Sequence, residues 1–145
     1  MTAEQMFSIA NPVALAGWLV LIWAVFRKNA WLRDEIAGRW WPLGFAALYT
    51  LLILLFFAKA EGGFDTLANV QKLFTSPWAA LAGWVHYLAF DLFVGALIAK
   101  RIMEAGASRL WLIALLPATF LFGPIGLLAS EAVMLFARPA PIQAS

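Results

Sequence analysis

Two ionisable side chains stand inside an otherwise apolar stretch. His86 and Asp91 fall within Pro77–Lys100, PWAALAGWVHYLAFDLFVGALIAK. As a helix, residues 77–98 are long enough to cross a bilayer at ~1.5 Å per residue. An Asp at that depth costs ~2.5–3.5 kcal/mol on insertion scales, so such residues usually face a protein interior and act there. The chemistry open to such a pair is proton transfer. Five positions of separation put the two about 140° apart around a helix and ~7.5 Å along it. They cannot simply pair; they look onto adjacent grooves, or onto two ends of something between helices. Gly83, Tyr87, Asp91 and Gly95 form one i+4 stripe, whose glycines let another helix approach.

Possible partners lie elsewhere in the chain. Gly123-Pro124-Ile125-Gly126 should bend the last apolar segment, and Pro124 frees the Phe120 carbonyl from its amide donor. A protonated Asp91 is expected to donate to that carbonyl. Counting depth along straight helices brings Glu131 near His86, so the two are expected to pair or to bracket a ligand, and Tyr49 falls near the level of Asp91. Trp84, Trp78 and Phe90 can wall an apolar groove. Each has a structural alternative: Asp91 as an interhelical hydrogen bonder, His86 as a packing residue, Glu131 as a solvated or snorkelling group. No metal site is expected, because one His with separated carboxylates is a poor ligand set and no HxxxH or ExxH spacing occurs. Cysteine is absent, and so are phosphate loops, nucleophile elbows and nucleotide motifs, so no cofactor and no nucleic-acid partner are expected.

The elements that would position these groups are membrane helices. A mean hydropathy of +0.85, with 64% hydrophobic and 12% charged residues, lies outside the soluble range of about 25% charged. The expected fold is all-α and integral to the membrane, one domain over residues 1–145. Its spans run over about 6–26, 41–58, 77–98 and 110–136, with a short interfacial helix over about 64–74 (FDTLANVQKLF). Asn11-Pro12 caps or kinks the first span. Asn29 to Arg39 reads as a polar loop, with Trp40-Trp41 at the headgroup level. Ser76-Pro77 starts the third span, Lys100-Arg101 closes it, and the tail from Arg138 is expected to be mobile.

The opening residues carry no basic cluster and no cleavage pattern, so no signal peptide is expected. Seven cations (Arg27, Lys28, Arg33, Arg39, Lys100, Arg101, Arg109) against three (Lys59, Lys72, Arg138) place the two short loops in the cytoplasm and both termini outside, in a bacterial inner membrane. Ala14-Leu15-Ala16-Gly17-Trp18 recurs as Ala80-Leu81-Ala82-Gly83-Trp84, which suggests two tandem two-helix units in parallel orientation.

At WVHYLAFDLFVG (Trp84 to Gly95), followed by FGPIGLL (Phe122 to Leu128), the chain resembles the abscisic-acid-deficient-4-like family of small four-helix membrane proteins, whose plant members are linked to neoxanthin synthesis. The likeness extends over nearly the whole chain. It implies that His86, Asp91 and the Gly123–Gly126 turn are marked positions, and that the guest is a carotenoid or similar isoprenoid lipid. The implied reaction, an epoxide becoming an allene and a hydroxyl, is an isomerisation needing one acid, one base and no redox cofactor. His86 and Asp91 would be the catalytic pair, with a buried, protonated Asp91 as the acid and a neutral His86 as the base. Tyr87, Trp84, Phe90, Tyr49, Gly123, Pro124 and Glu131 would line the substrate. Two rivals stand beside that reading: a non-catalytic pigment- or lipid-binding subunit of a larger membrane complex, and a small transporter using His86, Asp91 and Glu131. Glycine-lined faces make a homo-oligomer plausible.

Overall fold

The structure is a computed structural model and describes residues 1–136; the tail expected to be mobile from Arg138 lies outside the described residues. All regular structure among the described residues is helical, in the order α1 (Ala3–Phe26), a π-helical segment (Leu32–Trp40), α2 (Trp41–Phe56), a 3-10 turn (Phe57–Lys59), α3 (Leu67–Leu73), α4 (Pro77–Glu104) and α5 (Trp111–Phe136). Four stretches are long and apolar enough to cross a membrane: Ala3–Phe26, Leu32–Lys59, Pro77–Glu104 and Trp111–Phe136.

α1 starts where a capping box closes its first amides. The Gln5 amide donates to the Thr2 hydroxyl at 3.2 Å, and the Thr2 amide donates to the Gln5 side chain at 2.9 Å. The helix therefore begins ahead of Pro12, which sits inside it rather than at its start. Asn11 does not cap; its side chain accepts from the Trp84 indole at 2.7 Å.

The expected polar loop over 29–39 is a helix instead. Leu32–Trp40 winds as π-helix directly into α2, with Arg33 buried against Asp34 at 2.7 Å and its second nitrogen 3.2 Å from the Met103 sulfur. Pairing is what lets charged residues enter a buried turn. Trp40 is exposed, whereas Trp41 turns towards α1. The Trp41 indole donates to the Val13 carbonyl at 3.0 Å, halfway along α1. Similarly, Lys100-Arg101 do not close α4, which runs on to Glu104. The interfacial helix is shorter than expected, Leu67–Leu73, begun by the Thr66 hydroxyl, with Phe64 and Leu67 exposed.

α4 is the most buried of the four long stretches and packs on α1, α2, the π-helical segment and α5. On the side of its first half it joins Ala10, Ala14, Phe45, Leu52 and Leu81 in one cluster. Its second half joins Trp18, Leu21, Leu112 and Leu116 in another. Arg109 ties the α4–α5 loop to the end of α1, donating to the Phe26 carbonyl at 3.1 Å.

The bend expected at Gly123-Pro124 is a reversal. Phe122 alone leaves the helical region, at φ −145° and ψ 46°, and α5 is two limbs, residues 111–121 and 123–136. The first limb runs antiparallel to α4 and brings Phe120 to Tyr87. From Tyr87, Arg101 lies ~21 Å further along α4 towards the α4–α5 loop. A straight α5 would carry Glu131 ~16 Å the other way, leaving the two ~35 Å apart. They are instead joined as a two-pronged ion pair, with one prong from Arg101 Nη2 to Glu131 Oε2 at 3.1 Å. Ala129, Val133 and Met134 likewise pack on the cluster that holds Leu112 and Leu116. The limbs touch at Gly126, where a Cβ would sit 2.6 Å from the Thr119 Cα. Only a residue without a side chain lets the backbones come so close.

The two tandem units expected from the repeat differ in their second members, since α2 is straight and α5 reverses. Their tryptophans differ too: Trp18 is buried, whereas Trp84 is exposed.

Candidate functional site

Pro124 has no amide hydrogen, so the Phe120 carbonyl loses its helical donor. In so apolar an environment an orphan carbonyl costs several kcal/mol and must find another partner. The expected donor was Asp91; the donor is Tyr87, whose hydroxyl reaches the carbonyl at 2.8 Å. Tyr87 is one helical turn before Asp91 and its longer side chain spans the α4–α5 gap. The Trp18 ring sits edge-on to the Phe120 ring at 5.5 Å and fills the notch left by Gly95, where a Cβ would lie 2.7 Å from the indole Cζ3.

Asp91 faces the same reversal. Its side chain fills the space beside Gly123, where a Cβ would lie 2.9 Å from the carboxyl carbon. The residue is 8% exposed, and Oδ2 has no hydrogen-bond partner among the described residues. The stripe of Gly83, Tyr87, Asp91 and Gly95 thus faces inward as expected, Gly83 being covered by Phe74.

His86 points elsewhere. It is exposed, with its ring 5.4 Å from Tyr49 on α2 and 4.7 Å from Phe90 one turn along α4. Phe90 opens a groove of about 660 Å³ between α4 and the π-helical segment with α2, lined by Pro42, Leu43, Ala46, Ala89 and Phe93, with Arg39 and Lys100 towards the basic loops. Grooves of about 820 Å³ and 530 Å³ flank α1; Trp78 and Trp84 line the first, and Trp41 the second. None of these three is lined by His86 or Asp91.

The sequence-derived site therefore divides. Asp91, Tyr87, Gly123 and Pro124 meet at the reversal, with Trp84 against Tyr87 at 5.3 Å. His86, Tyr49 and Phe90 form a second group on the outer face of the α2–α4 contact. Glu131 belongs to neither, and it neither pairs with His86 nor brackets a ligand with it, because the reversal carries it to Arg101. The depth count that joined Glu131 to His86 assumed a straight α5. Trp18, Thr119 and Arg101 were missed. The small Gly126 held the only hint of Thr119, and the i+4 stripe ending at Gly95 held the hint of Trp18. No group of three or more His, Cys, Asp or Glu that could hold a metal occurs among the described residues.

A family model described as ABA DEFICIENT 4-like matches residues 5–129. No curated protein and no solved structure matches the chain.

Proposed function

We propose that this chain, which belongs to the ABA DEFICIENT 4-like family, is an integral membrane protein that holds a carotenoid or similar isoprenoid against its lipid-facing surface. The groove between α2 and α4 is the observation that carries this reading. It is apolar along most of its length, carries the Phe90 and Phe93 rings, and has Asp34, Glu35, Arg39 and Lys100 among its lining; His86, outside it, packs on Phe90 at 4.7 Å and on Tyr49 at 5.4 Å. Its volume is within the ~300–1,000 Å³ usual for ligand sites. From Ala89 to Lys100 it offers ~16 Å of wall, enough for a stretch of polyene whose remainder lies in lipid. The basic loops face the cytoplasm and the N-terminus the other side.

Acid–base isomerisation at this groove would keep His86 but not Asp91. His86 and Asp91 face different surfaces, so one guest atom cluster cannot meet both. Tyr49 stands beside His86, ring to ring at 5.4 Å, and its hydroxyl is the acid such a step would use. Asp91 then positions the reversal rather than touching the guest. The separation of His86 from Asp91 equally favours a second reading, in which the protein binds pigment or lipid without altering it. Transport is disfavoured, because Asp91 is packed against Gly123 and lines none of the three grooves described.

The test is purification in mild detergent, with the co-purifying molecule identified by absorption and mass. Ala46→Trp puts an indole into the groove at an exposed position. The expected outcome is a polyene spectrum on the parent protein and its loss, about tenfold or more, on Ala46→Trp, the equivalent of ~1.4 kcal/mol in binding. A parent protein that carries no isoprenoid sinks the proposal.

A further inference from the structure

We infer that the fourth apolar segment does not cross the membrane: it is a re-entrant hairpin, so the chain crosses three times and Phe136 emerges on the face of the basic loops. This rests on the membrane reading above and adds to it which face each end of α5 occupies.

Three separate observations carry it. The first is length. At ~1.5 Å per residue the limbs span ~16 Å and ~21 Å, against a hydrocarbon core of ~30 Å, and apolar helices of that length are more often re-entrant than spanning. The second is closure at the tip. Non-helical backbone at membrane depth is tolerated only where protein covers it, and the carbonyl freed there is bonded by Tyr87 while Asp91 covers Gly123. The third is the base. Arg101, three residues before the end of α4, holds Glu131 on the second limb, and charged groups so placed lie near the headgroups. Since Arg109 bonds the end of α1, the α1 end, the α4–α5 loop and the second limb's end share one face. That face carries Arg27, Lys28, Arg33, Arg39, Lys100, Arg101 and Arg109; Lys59 and Lys72 lie towards the other. The positive-inside bias therefore agrees with the hairpin.

The sequence has no cysteine, so single reporters can be placed without background. Phe136→Cys, Ala105→Cys and Gly63→Cys would be expressed separately and treated with a membrane-impermeant maleimide on right-side-out and inverted vesicles. The inference expects Phe136→Cys to react with the same sidedness as Ala105→Cys and the opposite sidedness to Gly63→Cys. Reaction of Phe136→Cys from the Gly63 side overturns it. Extraction of the parent chain from membranes by alkaline wash would overturn the membrane reading itself, and the hairpin's topology with it. A second variant, Arg101→Cys with Glu131→Cys, reads the hairpin independently of sidedness. A short bismaleimide is expected to close an intramolecular link in it, seen as a mass gain without dimer. A straight α5 holds the two sites ~35 Å apart, and failure of the link in folded protein counts against the hairpin.

Discussion

The Tyr87 hydroxyl donates to the Phe120 carbonyl at 2.8 Å, joining the longest helix to the one carbonyl that Pro124 strips of its amide partner. The same contact sets where the last apolar segment stops rising and turns back. Four expectations follow from it and from its surroundings.

Tyr87→Phe keeps the ring and removes the donor, leaving the Phe120 carbonyl unsatisfied in an apolar setting. The expected loss of folded-state stability is about 1–3 kcal/mol, read by denaturant titration in micelles. No change would mean that another group reaches that carbonyl.

Gly126→Ala sets a methyl into the Thr119 backbone. Overpacking of that kind costs ~1–3 kcal/mol, and the limbs must spread to relieve it. Gly44→Ala is the internal control, since no atom lies within 4 Å of its would-be Cβ; it should be neutral or stabilising through helix propensity. Equal effects at both positions would contradict limb contact.

Asp91→Asn removes an ionisable group whose Oδ2 has no hydrogen bond to lose. The new amide brings donors into a buried site, so stability is expected to fall by no more than about 1–3 kcal/mol, with the folded protein still retaining the bound molecule. Loss of that molecule with stability intact would assign Asp91 a direct contact with the guest, against the positioning role argued above.

His86→Ala and Tyr49→Phe address the groove end. His86 is exposed and Tyr49 only half-buried, and Tyr49→Phe keeps the ring that packs on the core, so the fold should tolerate either change. In an isomerase each variant keeps binding its carotenoid while the product-to-substrate ratio in cell pigment extracts falls, by a factor in the ~10²–10⁴ range for loss of an acid or base. A pure binding protein shows unchanged pigment ratios in both. Chromatography of the extracts decides between them.

Much of the bundle was legible before any coordinates. Runs of apolar residues of spanning length, broken by Arg27-Lys28, Gly62-Gly63 and Lys100-Arg101, mark the four long stretches, because apolar residues in runs of that length must be buried in lipid or protein. The i+4 stripe on α4 and the carbonyl freed by Pro124 were legible for the same local reason, since both follow from helix geometry. The polar stretch over 29–39 was misread because Arg33 and Asp34 look solvated in isolation. Their mutual pairing is between neighbours, but the Met103 contact that lets Arg33 enter the bundle joins positions 70 residues apart, which no local pattern reveals.

What the chain order alone determined is therefore the count of apolar segments, the inward stripe of α4 and the weak point at Gly123-Pro124. Only the tertiary structure decided the direction taken after that weak point, the donor that satisfies it, and the partner of Glu131. The physical reason is that a break in helical hydrogen bonding fixes where a helix can bend but not by how much. The angle rests on the dihedrals of Phe122 and on contacts with Tyr87, Thr119 and Arg101, which exist only once α4 and both limbs are packed together.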